Sequence, residues 1–180
     1  MTADQVHDIL DFWFSQIPER WWKVDPAFDD EIRDRYLTLW KEERENLPEH
    51  FLGDPDTALA AVILFDQFPR NMFRGHADQY STDPLALAVA KAAVERGFDD
   101  ELEKLERVLL YMPFQHSERI ADQDRAVMLF TALGNARSID FARKHRDMIA
   151  RYGRFPARNA ALGRLNRAGE EAGISESKDW

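Results

Sequence analysis

Residues 3–17 read ADQVHDILDFWFSQI, and their apolar side chains recur every three or four positions. That spacing places the apolar residues on one face of an α-helix, as expected for a helix that packs on a protein core. The same period recurs along most of the chain, and no segment shows the alternation typical of a β-strand. The sequence therefore predicts an all-α fold.

The dipeptide Asp-Pro occurs three times, at residues 25–26, 54–55 and 83–84, so that successive pairs lie 29 positions apart. An aspartate N-cap followed by proline at the first helical position is a common helix start. With the apolar period, these starts predict eight helices whose short connections imply antiparallel neighbours. The predicted helices span residues 3–17, 26–46, 55–67, 84–97, 100–112, 117–136, 138–152 and 156–171.

The chain has 180 residues and no cysteine, which fits a single domain over residues 1–180 and excludes disulfides and thiolate metal sites. Its longest apolar run, residues 58–65, is far shorter than the roughly 20 residues that span a bilayer. The N-terminus lacks the features of a secretory signal. We predict a soluble cytoplasmic protein without a membrane partner, and a mobile tail over residues 173–180.

Charge is distributed unevenly along the chain. The formal net charge is −9, which argues against nucleic acid as a partner because phosphate backbones require excess lysine and arginine. Residues 1–66 carry a net charge of −10, whereas residues 67–180 carry +1. The second part includes a run of five arginines without an intervening acid over residues 151–167. This cationic segment is expected either to bind an anion or to dock on the acidic N-terminal half.

Two similar segments combine Phe-Pro with Arg-Asn. The first cassette is DQFPRN at residues 66–71, and the second cassette is RFPARN at residues 154–159. Arginine offers a fork of donors that matches carboxylate or phosphate, and asparagine both donates and accepts hydrogen bonds, so convergence of the cassettes would form an anion site. The alternative is structural, with the arginines paired to buried acids such as Asp66. The predicted ligand-binding residues are Gln67, Arg70, Asn71, Arg74, Arg154, Arg158 and Asn159.

A third motif, YMPFQHSE at residues 111–118, places His116 where one helix is expected to end at Pro113 and the next to begin near Ser117. A histidine at such a junction can transfer protons. We predict His116 as the catalytic acid or base, with Glu118 or Asp66 orienting it. In the alternative interpretation, Ser117 merely caps the helix and Glu118 merely complements its dipole.

No metal or cofactor is predicted. His116, Glu118, Asp122 and Asp124 lie close in sequence, but their spacing fits no established metal motif. The chain also lacks a glycine-rich phosphate loop and the Gly-x-Ser-x-Gly motif of hydrolases. Several common enzyme classes are thereby excluded.

Two other segments are candidates for the walls of a pocket. The predicted gap between helices at residues 68–82 contains the first cassette and is expected to be a functional loop. Trp21 and Trp22 are adjacent, so one helix face cannot bury both. We expect the pair to pack in the core, with the pocket wall as the alternative for one of the two.

Four motifs in order resemble the bacterial family called domain of unknown function 924. They are DFWF at residues 11–14, LFDQFPRN at 64–71, MPFQHSE at 112–118 and GRFPARN at 153–159. The resemblance covers about residues 6–170 and implies an all-helical fold like that of tetratricopeptide-repeat proteins. It implies no established activity. Gln115 stands where the family usually has methionine and Ala157 where it usually has histidine, so a role for a histidine at 157 is lost here.

Three functions stay open from the sequence. The leading hypothesis is a binding domain for a small anionic molecule or a peptide carboxylate, held between the two cassettes. The second is an enzyme that uses the same pocket, with His116 as general acid or base and the arginines stabilising negative charge. The third is a protein-interaction scaffold with a concave helical surface, in which the arginines are structural. The sequence does not predict an oligomeric state.

Overall fold

The computed structural model describes residues 1–21 and 23–177, and every regular element in that part of the chain is helical, which confirms the all-α prediction. Within it, no helix is both long and apolar enough to cross a membrane. The α-helices are α1 (Ala3–Phe14), α2 (Pro18–Trp21), α3 (Pro26–Glu43), α4 (Pro55–Val62), α5 (Phe68–Met72), α6 (Asp83–Glu95), α7 (Lys104–His116), α8 (Ile120–Leu133), α9 (Ala136–Tyr152) and α10 (Glu170–Glu176). The shorter elements are 3₁₀ turns at Pro48–Phe51, Ala77–Tyr80, Phe98–Glu101 and Pro156–Arg158 and a π-helical segment at Ile63–Gln67.

Two of the three Asp-Pro pairs begin helices as predicted. The side chain of Asp25 accepts a hydrogen bond from the Phe28 N–H at the start of α3, and Asp54 accepts one from the Thr57 N–H at the start of α4. The third pair differs, because Thr82 is the N-cap of α6 and Asp83 is its first residue. The Asp83 carboxylate is instead occupied by arginines, as described below.

A continuous helical rod at residues 55–72 runs through the centre of the molecule. It consists of α4, the π-helical segment and α5, and all of residues 58–69 are buried. α4 packs against α1, α6 and α7, while α5 packs against α3. A helix that is apolar on all sides must be covered on all sides, which explains the uninterrupted apolar run in the sequence.

Pro69 does not end this rod, so the prediction of a loop over residues 68–82 is wrong for its first part. The turn widens before the proline, and the Phe68 N–H donates to the Ile63 carbonyl five residues back. Pro69 has no N–H for the Phe65 carbonyl, which accepts instead from the Thr82 hydroxyl at 2.7 Å. The Arg70 guanidinium in turn donates to the Asp66 carbonyl. The Thr82 hydroxyl, from outside the rod, thus replaces the helical hydrogen bond that Pro69 cannot make.

The junction around His116 also differs from the prediction. α7 continues through Pro113 to His116, and Ser117 is its C-cap rather than the N-cap of the next helix. α8 begins at Ile120, three residues later than predicted. The Ser117 hydroxyl donates to Asp122 Oδ2 at 2.7 Å. His116 is therefore the last residue of α7 rather than part of a junction between helices.

The predicted helix at residues 156–171 is absent. A 3₁₀ turn at Pro156–Arg158 is followed by an irregular segment whose Gly163 and Gly169 have positive φ angles of 62° and 87°. α10 then covers Glu170–Glu176, so residues 173–176 are helical where the sequence predicted the start of a tail. The rest of that predicted tail from residue 178 lies outside the described residues.

Aromatic rings fill the core between α1, α3 and the central rod. Trp13 is fully buried and stacks on Trp21 with ring centroids 5.3 Å apart, and Tyr36 stacks on Phe68 at 4.4 Å. Trp21 thus packs in the core as expected. Trp22 lies outside the described residues.

Gly173 provides a test of packing beneath α10. A Cβ atom on Gly173 would lie 2.7 Å from Tyr152 Cε2 and 3.1 Å from both Met148 Sδ and Pro156 Cγ. Gly173→Ala is therefore expected to lower the free energy of unfolding by about 1–2 kcal/mol, although alanine otherwise favours a helix. Urea denaturation measures this change. The control is Gly53→Ala, where the new methyl group meets nothing within 4 Å; equal losses in both variants would contradict the packing.

Candidate functional site

A cleft of about 480 Å³ opens where the start of α6, the end of α7 and the segment after Pro156 meet. Both His116 and Arg158 line it, so it joins the third sequence motif to the second cassette. A cleft of this size is typical of small-molecule sites. The lining residues are Tyr80, Asp83, Pro84, Leu87, Ala88, Lys91, Pro113, His116, Ser117, Glu118, Arg119, Arg158 and Leu162.

A second groove, of about 540 Å³, lies between α1 and α3. It contains none of the site residues predicted from the sequence. Its one aromatic side chain, Phe12, is covered by the Arg35 guanidinium, which lies 4.4 Å from the ring centroid and also pairs with Asp8. The first cleft, called the α6–α7 cleft below, is therefore the one that contains residues of the sequence motifs.

His116 and Asp66 form a hydrogen-bonded pair at the inner side of the cleft. Asp66 is fully buried in the π-helical segment, and His116 Nδ1 lies 2.8 Å and 3.0 Å from its two carboxylate oxygens. Because an ionised carboxylate only accepts, Nδ1 carries the proton, and Nε2 of the neutral ring is the basic nitrogen. The hydrogen bonds that His116 makes with other described residues all involve Nδ1 or its backbone, and none involves Nε2. Since His116 also lines the cleft, no described side chain occupies this nitrogen there.

The charges around this pair set its protonation. Burial and the nearby Arg70 lower the pKa of His116 below its ordinary value, against the opposing effect of Asp66. Burial by itself raises the pKa of Asp66, but the charges of Arg70 and His116 bring it down to about 2. At neutral pH the pair is therefore an ionised carboxylate and an uncharged imidazole, which is the state that a general base requires.

The two cassettes converge on one carboxylate, and that carboxylate belongs to the protein. Arg70 forms a bidentate pair with Asp83, at 2.8 Å to Oδ1 and 3.0 Å to Oδ2. Arg158 contacts the same Oδ2 at 3.3 Å. Arg70 also lies 3.3 Å from Asp66 Oδ1. The arginines of the two cassettes therefore meet at a carboxylate of the protein itself, that of Asp83.

Arg158 is the less fully paired of the two arginines. Its guanidinium carbon lies 4.6 Å from the Tyr80 ring centroid and 4.4 Å from that of Phe155, and it donates to the His116 carbonyl at 2.9 Å. Burial lowers the pKa of Arg158, with the charge of Asp83 acting in the opposite direction. The protein's own anions therefore offset only part of the cost of burying this cation.

Gln67 and Glu118 have roles other than those predicted. Gln67 donates to Asp66 Oδ2 within the buried network and does not line the cleft. Glu118 lines the cleft but does not orient His116. Its carboxylate accepts from Arg164 at 2.7 Å and 3.0 Å and from the Phe155 N–H at 2.8 Å. Glu118 thereby attaches the second cassette to the end of α7.

Asn71 and Arg74 do not reach the cleft. Asn71 donates to Asp29 Oδ1 at 2.8 Å, and Arg74 donates to both oxygens of the same carboxylate. Asp29 is buried on α3. These two predicted ligand-binding residues instead attach the central rod to α3.

Arg154 and Asn159 have an equivalent structural role in the C-terminal segment. Arg154 forms a bidentate pair with the buried Glu170 at 2.8 Å and 2.9 Å, and Asn159 donates to the same carboxylate at 2.9 Å. Asn159 also accepts from Arg164 at 3.0 Å. This network holds the irregular segment onto α10 and replaces the predicted helix.

Several residues in or beside the cleft carry no functional signal in the sequence. The Asp-Pro pair predicts a helix cap at Asp83 and gives no sign of a second role. His145 of α9 lies beside His116, with ring centroids 6.2 Å apart, and burial and His116 lower its pKa to about 3. Lys91 and Arg119 also line the cleft. Nothing in their local sequence distinguishes them from surface residues on amphipathic helices.

No group of three potential metal-ligating side chains occurs in residues 1–21 and 23–177. Among the residues considered from the sequence, Asp122 pairs with Lys91 and Asp124 with Arg146. These carboxylates serve as ion-pair partners.

Comparisons with known proteins identify a family and a fold. A family model described as "Bacterial protein of unknown function (DUF924)" matches residues 9–177. The chain is similar to a solved structure described as "Structure of Protein of Unknown Function ATU0120 from Agrobacterium tumefaciens", with 40% identity and a TM-score of 0.89 over 98% of this chain and 99% of that chain. No curated protein matches. These findings assign no activity, which has to be inferred from the site.

Proposed function

This chain belongs to the DUF924 family of bacterial proteins of unknown function, and we propose that it is an enzyme that binds a small anionic molecule in the α6–α7 cleft and uses His116 as a general base. One observation carries the proposal: His116 donates through Nδ1 to the buried Asp66, while Nε2 has no partner among the described residues. A histidine used only for packing would not need a buried carboxylate to select its tautomer.

The chemistry follows from these contacts. Nε2 takes a proton from the bound molecule or from a water molecule beside it. Asp66 stays ionised and stabilises the imidazolium that forms. Arg158, on the same cleft, offsets negative charge that develops on the substrate. The proton then returns from Nε2 to the product, so the enzyme ends in its initial state.

Together with this function we propose a partner, a cellular location and a helical-repeat architecture. We propose a small anionic molecule rather than nucleic acid as the partner, which the net charge of −9 supports. The sequence favours a cytoplasmic location. The packing of α7, α8 and α9 on one another in chain order is compatible with a tetratricopeptide-like array.

His116→Asn is the sharpest test. The asparagine amide can donate to Asp66 as Nδ1 does, but the variant lacks a counterpart of Nε2. We expect wild type to exchange C–H protons or to cleave bonds in at least one member of a panel of small carboxylic acids, esters and amides in D₂O, followed by proton NMR. The rate should fall by about 10²–10⁴-fold in His116→Asn, the range for loss of a general base.

The control is His76→Asn, because His76 is an exposed histidine away from the cleft. This variant should keep the wild-type rate. Since the pKa of His116 is lowered by burial and Arg70, the wild-type rate should decline on the acid side at a lower pH than it would for a histidine of ordinary pKa. Equal rates in wild type and His116→Asn would refute the proposed role.

A further inference from the structure

The α6–α7 cleft has an apolar wall. Pro84, Leu87 and Ala88 contribute it from the first two turns of α6, and Pro113 and Leu162 contribute it from α7 and the C-terminal segment. None of these side chains can form a hydrogen bond. A ligand that fills the cleft must therefore place hydrocarbon against them, since a fully polar ligand would lose its hydration there without compensation.

The same cleft carries a small excess of positive charge. Lys91, Arg119 and Arg158 line it together with only two acids, Asp83 and Glu118. The sum is +1 when histidine is neutral, in a chain whose net charge is −9. The cleft is therefore a cationic site in an acidic protein, and it favours an anionic ligand.

The three cations are not equally available. Lys91 pairs with the buried Asp122. Arg158 shares Asp83 with Arg70 and is partly compensated. Arg119 is exposed and makes no ion pair with any residue that the structure describes. Arg119 thus offers a free guanidinium at a cleft whose other charges are at least partly paired.

Building on the proposed function, we propose that the ligand class is a monocarboxylic acid with an apolar chain or ring, its carboxylate neutralised by Arg119 and Arg158 and its hydrocarbon packed on the Leu87–Pro113–Leu162 wall. One negative charge balances the excess of +1. A dianion such as phosphate would carry a second charge toward Asp83 and Glu118. The volume of about 480 Å³ suits a small molecule.

Isothermal titration calorimetry with defined probes tests this class. Hexanoate combines both features, acetate lacks the chain, hexan-1-ol lacks the charge, and inorganic phosphate lacks the chain and adds charge. Each buried CH₂ is worth about fourfold in affinity, so hexanoate is expected to bind at least tenfold tighter than acetate even if the chain is only partly buried. It should also bind tighter than hexan-1-ol and phosphate.

Single substitutions test which residue binds the carboxylate of the ligand and which binds its hydrocarbon. Arg119→Gln should weaken hexanoate severalfold and leave hexan-1-ol unchanged, whereas Leu87→Asn should weaken both. Arg125→Gln is the matched control, because Arg125 is an exposed arginine of α8 outside the cleft. It should bind hexanoate as wild type does. An equal loss in Arg119→Gln and Arg125→Gln would show that only overall charge matters and would overturn the assignment.

The remaining outcomes separate this proposal from the proposed function. Tighter binding of phosphate or acetate than of hexanoate overturns the ligand class, as does no binding of any probe, while the catalytic role of His116 is decided by the rate of His116→Asn. Conversely, hexanoate should still bind to His116→Asn, because the wall and Arg119 are intact. If His116→Asn binds hexanoate and also keeps the wild-type rate, the proposed role of His116 as a base is wrong, while the proposed ligand class is still supported.

Discussion

Asp83→Ala is expected to lower the free energy of unfolding by about 3–5 kcal/mol, the cost of removing one partner from a buried ion pair. The side chains of Asp83, Arg70 and Arg158 are only 16%, 17% and 13% exposed, so water cannot replace the carboxylate fully. The loss leaves Arg158 without a carboxylate and Arg70 with Asp66 alone. Urea denaturation at neutral pH measures the change.

Added small anions should distinguish this interpretation from a general loss of structure. Because Asp83→Ala empties the position that two guanidinium groups share, formate or acetate should raise the melting temperature of the variant more than that of wild type. Asp34→Ala, which removes an exposed aspartate of α3 that makes no ion pair among the described residues, should change stability by no more than about 0.5 kcal/mol. Equal responses of wild type and Asp83→Ala to formate would mean that the cassettes do not form an anion site.

Asp66→Ala is expected to lower the free energy of unfolding by about 3 kcal/mol or more. Asp66 is fully buried and accepts hydrogen bonds from Gln67 and His116 while facing Arg70. Its removal leaves buried donors without a partner, and each such donor carries its full desolvation penalty. Asp66→Asn keeps the shape and an acceptor for His116, so its loss should be smaller.

Comparing the stability of wild type and Asp66→Asn as a function of pH shows whether the negative charge of Asp66 matters. The pKa of Asp66 is about 2 in the folded chain, below its unfolded value of about 3.9. A carboxylate whose pKa is lower in the folded than in the unfolded chain contributes its full stabilisation at a pH above the unfolded-state pKa. That contribution is lost as the pH falls through the folded-state pKa. The stability difference between wild type and Asp66→Asn should therefore shrink between about pH 4 and pH 2. A difference that stays constant over this range would show that Asp66 contributes shape and not charge.

Local signals in the sequence predicted much of the fold. Asp25 and Asp54 cap helices because the N-cap interaction involves only residues within one turn. The family resemblance, carried by four motifs, is confirmed by the match over residues 9–177. The helix ends predicted at residue 67 and at Pro113 are wrong, and for the first the reason is that propensity alone does not include the Thr82 hydroxyl, which satisfies the carbonyl freed by Pro69.

The candidate site was predicted in part. His116 and Asp66 do pair, and Arg70 and Arg158 do converge. The asparagine that follows Arg70 does not contact the same carboxylate. Arg70 donates to Asp83, whereas Asn71 donates to Asp29 on another helix. Successive residues of a helix are separated by about 100° around its axis, so adjacent positions face different neighbours.

The sequence by itself determined the all-helical class, because helical period and capping act over a few positions. Only the tertiary structure decided which partner each charge has. Asp83 lies 13 residues from Arg70 and 75 from Arg158 along the chain, yet it contacts both. A buried cation must be paired, but its charge does not specify which of the chain's 33 acids pairs with it. Packing of the central rod makes that choice, and it places Nε2 of His116, the base that we propose, at the cleft.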